Sequence, residues 1–546
     1  MPEVSCADHS VSPPIVKIPR DYNAAYDLIE RNLRAGRAEK IAYFDDAGSY
    51  SYGELADRVN RFASALTGLG VQMEQRVLLC LNDTIDFPVA FLGSIKAGIV
   101  PVASNTLLPM ENYEHLLRDS RARALVVSAA LLPKFSPLLA RMPFLRHVIV
   151  SQGEETRHLS LAKLLAGASP VFECAPTTSD DVCFWLYSSG STGAPKGTLH
   201  AHSSLIQTAE HYARAVLGIE ERDVVYSVAK LFFAYGLGNS LTFPLAVGAT
   251  AVLTSSWAKP SDVFATLRRH RPTIFYGVPT LYAAMLASPD LPRRDEMRLR
   301  RCVSAGEALP QNVGQRWSEH FGVDILDGLG STEMLQMYLS NRPGEVRYGS
   351  SGKAVPGYQI RIVDEHGTAV APGEIGELQV CGPSSALGYW NNREKSRATF
   401  CGAWVRSGDK FALDADGYYV YAGRSDDMLK VSGIYVSPVE VESALISHDA
   451  VLEAAVVGCQ DAEGLVKPAA MVVLKPGRAA SDDLAEELKK HVKAKIAPYK
   501  YPRWVYFVEE LPKTATGKIQ RFKLRAQCAQ SSAVSQQQPA VPLVSA

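Results

Sequence analysis

The sequence has 546 residues, of which 47% are hydrophobic and 21% are charged, and this composition excludes extensive disorder. Its 57 basic and 57 acidic residues cancel, so the chain lacks the basic excess of nucleic-acid-binding proteins. Nine cysteines without a CxxC pair exclude a zinc ribbon and a disulfide framework, and they favour a cytoplasmic protein. The sequence shows no secretion signal and no apolar run long enough to span a membrane.

The first 150 residues predict alternating helices and strands. Residues 1–20 are rich in proline and predict a loosely attached arm. Residues 50–70 predict an amphipathic helix that Gly70 ends, because apolar side chains recur at spacings of three and four. These side chains are Leu55, Val59, Phe62, Ala63, Leu66 and Leu69. Apolar segments at 76–81, 98–102, 124–128 and 147–151 predict strands, with a helix at 85–96 between the first two. Such continuous apolar strands are typical of sheets covered on both faces.

The sequence pattern changes in the rest of the chain. Strand-like segments at 249–253 and 272–276 continue the pattern, and alternating segments at 358–363 and 376–380 predict a small antiparallel β unit. Helical patterns at 439–447 and 482–495 predict a small α+β domain. The tail, 529–546, is low in charge and predicts disorder. The predicted fold class is therefore α/β, with a large N-terminal domain of α/β sheets plus a small β unit, and a small mobile α+β C-terminal domain.

The segment 187–197, YSSGSTGAPKG, is the most informative one. Glycine backbone N–H groups, hydroxyls and a lysine suit an anion such as phosphate. The segment is not a Walker A loop, because Pro195 precedes Lys196 and Gly197 follows it. A flexible surface turn is the alternative. The absence of GxSxG and HExxH motifs disfavours a serine hydrolase and a zinc peptidase.

Four further segments place hydroxyl-bearing or charged side chains beside small residues. In 327–333, DGLGSTE, Thr332 could donate to a phosphate and Glu333 could bind Mg²⁺, although a helix N-cap explains the segment as well. Carboxylates in 407–409 (SGD) and 423–427 (GRSDD) could accept from ribose hydroxyls, or could simply form hairpin turns. The segment 512–518 ends in Lys518, which could equally be a solvated surface lysine.

In this order, these segments resemble those of the adenylate-forming superfamily, which includes acyl-CoA synthetases, carrier-protein adenylation domains and beetle luciferases. The resemblance covers about residues 20–525. It implies domains at 21–425 and 426–528, and a two-step reaction with ATP, Mg²⁺ and coenzyme A. A carboxylate attacks the α-phosphate to give an acyl-AMP and pyrophosphate, and a thiol then displaces AMP.

The resemblance also implies roles for particular residues. The β- and γ-phosphates would bind Ser188, Ser189, Gly190, Ser191, Thr192, Gly193 and Lys196. Thr332 would contact a phosphate, Glu333 the Mg²⁺, and Lys518 the reacting carboxylate and α-phosphate. Adenine would lie against Gly306, Glu307, Ala308 and Asp327, and the ribose against Asp409 and Arg424. Asp426 would be the hinge of a rotating C-terminal domain, and Gly433 would line the thiol channel.

Within the superfamily, residues 230–239 and 333–341 look most like those of benzoate–CoA ligases. The resemblance would place Ala234, Tyr235, Gly330, Gln336 and Met337 around an aromatic ring. Gln336 departs from the histidine of that pattern, which leaves open whether hydroxyl or amino substituents are favoured or benzoate itself. A core role for the aromatic side chains near 235 is the alternative, and structural hydrogen bonding is expected for His200 and His202.

The prediction is thus a cytoplasmic benzoate–CoA ligase that acts on a small aromatic acid in aromatic compound degradation. We expect a monomer or homodimer, with no nucleic-acid or membrane partner. A ligase for a substituted benzoate and an aryl-acid adenylation enzyme that loads a carrier protein are the alternatives. A light-emitting monooxygenase and a catalytically dead nucleotide-binding scaffold are less favoured.

Overall fold

The computed structural model describes residues 2–153, 157–190, 193–425, 427–431, 434–461, 465–513 and 519–534. The chain divides into two compact units. The first comprises residues 1–309, 313–360 and 380–406, and the second comprises 310–312, 361–379 and 407–546. None of the helices in these ranges is long and apolar enough to cross a membrane.

Two large sheets form the framework of the first unit. One has eight strands, in the spatial order Gly388–Tyr389, Gly193–Ala201, Val182–Gly190, Val100–Ala103, Arg76–Cys80, Ala124–Ser128, His147–Ser151 and Leu159–Ser160. The other has nine, in the order Lys353–Ala354, Met337–Ser340, Ile325–Gly330, Arg301–Ser304, Ile274–Gly277, Val224–Ser227, Thr250–Val252, Ile41–Phe44 and Ser49–Ser51. The central strands of both sheets are parallel and mostly apolar, as expected when helices cover both faces.

Helices connect these strands. The α-helices are Ala24–Arg34, Tyr52–Gly68, Asp86–Lys96, Met110–Ser120, Leu132–Leu139, Leu161–Gly167, His202–Thr208, Ala234–Leu237, Phe243–Val247, Pro260–His270, Pro279–Leu286, Gln311–Phe321 and Arg393–Thr399. Segments Ala209–Leu217 and Gly238–Thr242 are π-helical, and Ala129–Leu131, Arg294–Glu296 and Thr332–Met334 are 3₁₀ turns. The predicted helix at 50–70 is confirmed, and Ser51 and Glu54 close a capping box at its start.

The second unit contains most of a small sheet together with an α+β fold. The small sheet contains Gln359–Val363, Gly376–Cys381, Phe400–Cys401, Trp404–Leu413 and Tyr419–Arg424. A hairpin, Leu429–Val431 with Ile434–Val436, precedes a three-stranded sheet of Val451–Gln460, Val466–Leu474 and Trp504–Phe507. Its helices are Pro438–Ile446, Asp482–Lys495, the 3₁₀ turn Pro498–Lys500 and Arg521–Val534. The predicted fold class is confirmed.

Three expectations need correction. The N-terminal arm is not loose, because Cys6–Asp8 and Ile15–Lys17 pair as a hairpin that side chains anchor to the first unit. The last helix extends to Val534, so 529–534 is not disordered, and 535–546 lies outside the described residues. Cys459 and Cys528 form a disulfide with 6.0 Å between their Cα atoms, whereas seven cysteines are free.

Candidate active site

The described residues of the predicted phosphate loop lie in the two paired strands of a β-hairpin. Strands Val182–Gly190 and Gly193–Ala201 pair antiparallel, with Ser188 opposite Lys196. The Ser188 hydroxyl is buried without a hydrogen-bond partner among the described residues. Ser189, Gly190 and Gly193 lie in the strands, whereas Ser191 and Thr192 lie outside the described residues. A buried hydroxyl without a partner and a lysine therefore face each other across the hairpin, a donor set that suits phosphate oxygens.

The GSTE segment forms a tight turn after strand Ile325–Gly330. The Ser331 hydroxyl accepts from the backbone N–H of Met334 at 3.3 Å and so caps the 3₁₀ turn Thr332–Met334. The N-cap alternative is therefore correct as a description of local structure. It is compatible with a ligand role, because Ser331 makes the cap and Thr332 and Glu333 remain for other contacts.

Three hydrogen bonds fix the backbone of this turn. His200 Nε2 is 2.8 Å from the carbonyl oxygen of Thr332, and the N–H of Ala386 donates to the carbonyl of Glu333 at 2.8 Å. The Ser384 hydroxyl donates to the carbonyl of Met334 at 2.7 Å. Because His200 belongs to the phosphate-loop hairpin, the predicted loop and the GSTE turn are held together as one site.

The two histidines after the loop are structural, as predicted. Burial lowers the pKa of His200 to about 4, so its ring is neutral and Nε2–H is the donor to Thr332. The ring stacks on Phe184 at 5.1 Å. Burial also lowers the pKa of His202 to about 4, and its Nδ1 accepts from the backbone N–H of Ala24 at 3.1 Å.

The Glu333 carboxylate fits a divalent cation. Its Oε1 accepts from the Tyr389 hydroxyl at 2.7 Å, and within the described ranges no protein group bonds its other oxygen. These ranges also contain no cluster of three His, Cys, Asp or Glu side chains that could hold a metal ion. One available carboxylate oxygen without a protein cage suits Mg²⁺, which binds through one or two carboxylates, water and substrate phosphates.

The predicted adenine-binding residues come from neighbouring parallel strands. Asp327 pairs in register with Ser304, and residues 306–308 follow that strand directly. Burial raises the pKa of Asp327 well above its usual range. Its Oδ1 has no hydrogen-bond partner among the described residues, and a side chain at Gly306 would meet open space. Ligands of open α/β sheets bind at this carboxyl end of the strands.

The predicted ring-binding residues also lie together. Gln336 Nε2 donates to the carbonyls of Ala234 and Tyr235 at 3.4 and 3.1 Å, and its Oε1 accepts from the N–H of Met337 at 3.1 Å. Gly330 pairs with Met337, and a Cβ there would lie 2.8 Å from the carbonyl oxygen of Gln336. Both N–H groups of the Gln336 amide are therefore engaged by backbone carbonyls, and its oxygen already accepts one backbone hydrogen bond.

Sequence reasoning missed the anchors of the segment that carries Ala234 and Tyr235. The buried Asp83 carboxylate accepts from the N–H of Leu231 at 3.2 Å, and burial raises the pKa of Asp83 to about 6. Lys230 Nζ donates to the carbonyls of Thr254 and Ser256, both at 2.6 Å. The sequence signal is a charged residue beside an apolar run in each of the two segments, which identifies no partner.

The second unit holds the remaining predicted residues. Arg424 Nη1 donates to Asp409 Oδ1 at 3.3 Å, so the two predicted ribose ligands are neighbours on paired strands. Asp426, Gly433 and Lys518 lie outside the described residues. The residues that flank 514–518 meet, because Lys513 forms a bridge with Ile519 and the N–H of Gln520 donates to the carbonyl of Pro512 at 2.8 Å.

Family models match both parts of the chain. The AMP-binding enzyme model matches residues 29–390, and the AMP-binding enzyme C-terminal domain matches 440–518. The chain belongs to the AMP-binding enzymes. The superfamily resemblance of the sequence motifs is thereby confirmed, and the chain is an adenylate-forming enzyme of the acyl-CoA synthetase type.

The similar proteins share nearly full length with this chain. The benzoate–CoA ligase of Thauera aromatica is 65% identical over 96% of this chain and 99% of its own. The crystal structure of a benzoate CoA ligase from Burkholderia xenovorans LB400 is 56% identical, with a TM-score of 0.87 over 92% of this chain and 100% of that one. The anthranilate CoA ligase AuaEII, solved with anthranoyl-AMP, is 46% identical, with a TM-score of 0.90 over 94% of this chain and 99% of that one.

Proposed function

We propose that this AMP-binding enzyme is a benzoate–CoA ligase. It converts benzoate, ATP and coenzyme A into benzoyl-CoA, AMP and pyrophosphate through benzoyl-AMP. The 65% identity to the Thauera aromatica enzyme over nearly the whole chain supports this reaction.

The contacts of Gln336 support unsubstituted benzoate as the preferred substrate. Its two amide N–H bonds go to the carbonyls of Ala234 and Tyr235, and its oxygen accepts from Met337. A hydroxyl or amino substituent on the ring would find no free N–H donor at Gln336 and could share only an oxygen that already accepts from Met337, and a poorly paired buried polar group costs free energy. Unsubstituted benzoate makes no such demand. The ligand of the anthranilate CoA ligase carries an amino substituent, so a ligase for a substituted benzoate is the alternative that this argument disfavours.

In the first half-reaction, a carboxylate oxygen attacks the α-phosphorus in line and pyrophosphate leaves. Lys196 and the hydroxyls of Ser188 and Thr332 bind the departing phosphates. Mg²⁺ at Glu333 would neutralise phosphate charge, and Lys518 would bridge the carboxylate and the α-phosphate. The protein mainly positions the reactants and supplies preorganised charge, because two anions must meet.

In the second half-reaction, the thiol of coenzyme A attacks the acyl carbonyl carbon and AMP leaves. We propose that the C-terminal domain rotates about Asp426 between the two steps and that Gly433 lines the thiol channel. A cytoplasmic location, where ATP and coenzyme A are available, and a role in aromatic compound degradation complete the proposal.

Mass spectrometry of the products tests the function. The enzyme receives MgATP, coenzyme A and a mixture of benzoate, hydroxy-, amino- and fluorobenzoates, phenylacetate, cinnamate and medium-chain fatty acids. We expect benzoyl-CoA as the leading thioester, with AMP. A leading substituted-benzoyl or aliphatic thioester would overturn the ring assignment. Pyrophosphate release without any thioester would indicate a carrier protein as the thiol acceptor, which a phosphopantetheinylated carrier would then reveal.

A further inference from the structure

Tyr389 contacts both charged groups of the proposed phosphate and metal site. Its hydroxyl donates to Oε1 of Glu333 at 2.7 Å, and the Nζ of Lys196 lies 4.6 Å from the centroid of its ring. Only 6% of Tyr389 is exposed, so its ring and hydroxyl are shielded from bulk water. No motif of the sequence analysis includes this residue.

The backbone around Tyr389 is held on both sides. Strand Gly388–Tyr389 pairs antiparallel with the phosphate-loop hairpin at Thr198 and Leu199. The N–H of Tyr389 donates to the Ser396 hydroxyl at 3.0 Å, and the N–H of Trp390 donates to the carbonyl of Gly197 at 2.8 Å. The ring meets Phe400 edge-on at 5.3 Å. The phenol is therefore fixed relative to Lys196 in the neighbouring strand.

A fixed phenol has two chemical consequences here. A donor to one carboxylate oxygen sets the orientation of Glu333 and leaves its other oxygen for a cation, as the partners of metal-binding carboxylates do. The ring face attracts the Lys196 ammonium electrostatically and limits the directions it can take. Lysine otherwise carries large rotamer freedom, and ordering it before the nucleotide arrives lowers the entropic cost of binding.

We propose that Tyr389 is a positioning residue that holds the Glu333 carboxylate for Mg²⁺ and the Lys196 ammonium for the ATP phosphates. The proposal rests on the function proposed above, since it takes Glu333 and Lys196 as ligands of MgATP. It adds a residue that acts through Glu333 and Lys196 and so determines how well MgATP is bound.

The test is the binding of ATP at increasing Mg²⁺ concentrations, measured by calorimetry without benzoate or coenzyme A. Tyr389→Phe removes the hydroxyl and keeps the ring. We expect the Mg²⁺ concentration for half-maximal ATP binding to rise about tenfold. The KM for benzoate should stay within about twofold of the wild-type value. Tyr389→Leu also removes the ring face and should weaken ATP binding even at saturating Mg²⁺.

Two controls separate positioning from damage to the fold. Tyr52→Phe removes another buried phenol, whose hydroxyl donates to the carbonyl of Ala249 at 2.6 Å, and should leave the Mg²⁺ dependence unchanged. In a Glu333→Gln background, Tyr389→Phe should cause no further rise in the Mg²⁺ concentration for half-maximal ATP binding, because the two side chains act through one contact. The proposal would be overturned if Tyr389→Phe kept the wild-type Mg²⁺ midpoint. It would also be overturned if the midpoint of the double variant rose by the combined effects of the two single variants.

The binding measurement is independent of the acid. If the wild-type enzyme forms no benzoyl-CoA, the proposed function fails, whereas the Mg²⁺ titration still reports on Tyr389. If the wild-type enzyme forms benzoyl-CoA and Tyr389→Phe binds MgATP normally, only the role of Tyr389 fails.

Discussion

His200 illustrates, at the scale of one residue, how burial determines what a side chain can do. Its ring is completely buried, its Nε2 bonds the carbonyl of Thr332, and its Nδ1 has no partner among the described residues. A proton on Nδ1 would therefore be buried without compensation, which is why the pKa falls to about 4 from 6.5. The residue is a neutral donor that positions the GSTE turn rather than an acid or a base.

This pKa predicts a pH dependence of stability. Because the unfolded chain binds the proton more readily, the contribution of His200 is fully present above about pH 6.5 and is lost as the pH falls toward 4. Linkage gives a loss of about 2 kcal/mol by pH 5. His200→Gln keeps an N–H donor and does not titrate. Its melting temperature should therefore fall less than that of the wild type between pH 7.5 and 5, with His202 contributing equally to both. Equal falls in melting temperature for the wild type and His200→Gln would contradict the lowered pKa of His200.

Gln336 gives a second prediction at this scale. Gln336→Ala removes the amide that bonds the carbonyls of Ala234 and Tyr235, and it leaves space and two free acceptors beside the proposed ring site. The wild-type enzyme should favour benzoate over 4-hydroxy- and 4-aminobenzoate in kcat/KM by about 10- to 100-fold. The variant should narrow this ratio by about tenfold, mainly through better use of the substituted acids. An unchanged ratio, measured with each acid separately, would remove Gln336 from the ring site.

At the scale of elements, the N-terminal hairpin shows how buried charge attaches a segment to the domain. The Asp27 carboxylate in helix Ala24–Arg34 is fully buried and accepts from the hydroxyls of Ser5 and Tyr22 at 2.6 and 2.8 Å. Arg31, one turn later, donates to Asp27 at 2.7 Å and to Ser5 Oγ at 2.8 Å. His9 on the same arm bonds the buried Glu210 at 2.6 Å.

A matched pair of variants tests this attachment. Asp27→Ala removes a fully buried carboxylate and leaves Arg31 only the more distant Glu210, at 3.8 Å, so it should lower the free energy of unfolding by about 3–5 kcal/mol. Asp57→Ala breaks the same i,i+4 pair with Arg61 at 2.7 Å on a helix surface, where the Asp57 side chain is 45% exposed, and should cost less than about 1 kcal/mol. Chemical denaturation compares the two. Equal losses would show that the buried network does not hold the arm.

Local patterns predicted the elements well, because periodicity and breakers act within a few residues. The helix at 482–495 and the strands at 124–128 and 147–151 have the predicted bounds. The anchoring of the arm by Asp27 and the pairing of Cys459 with Cys528 depend on residues far apart in sequence, which local periodicity does not relate. For the same reason the motifs identified Glu333 but not Tyr389, its hydrogen-bond partner 56 residues away.

At the scale of the whole molecule, the proposed reaction needs two arrangements of one chain. The residues on either side of 514–518 are anchored, because Lys513 Nζ donates to the Glu453 carboxylate at 2.7 Å and Arg521 donates to both oxygens of Glu442 at 2.8 Å. Asp427, next to the predicted hinge residue Asp426, forms a salt bridge with Arg525 at 3.1 Å. Asp427 and the residues that follow Lys518 are therefore linked within the second unit, so a rotation at 426 would move these residues together.

Two variants separate the chemistry of Lys518 from the motion. Lys518→Ala should slow adenylation, measured as pyrophosphate release, by about 10²–10³ and spare thioester formation from supplied benzoyl-AMP. Lys523→Ala, an exposed lysine of the following helix, is its control and should change neither rate. Asp426→Pro restricts the backbone at the hinge, because proline fixes φ. It should arrest one half-reaction and leave the other within a few-fold of wild type. If both half-reactions of Asp426→Pro proceed at wild-type rates, the hinge lies elsewhere. If Lys518→Ala slows both steps equally, the lysine serves the fold or both reactions rather than adenylation alone.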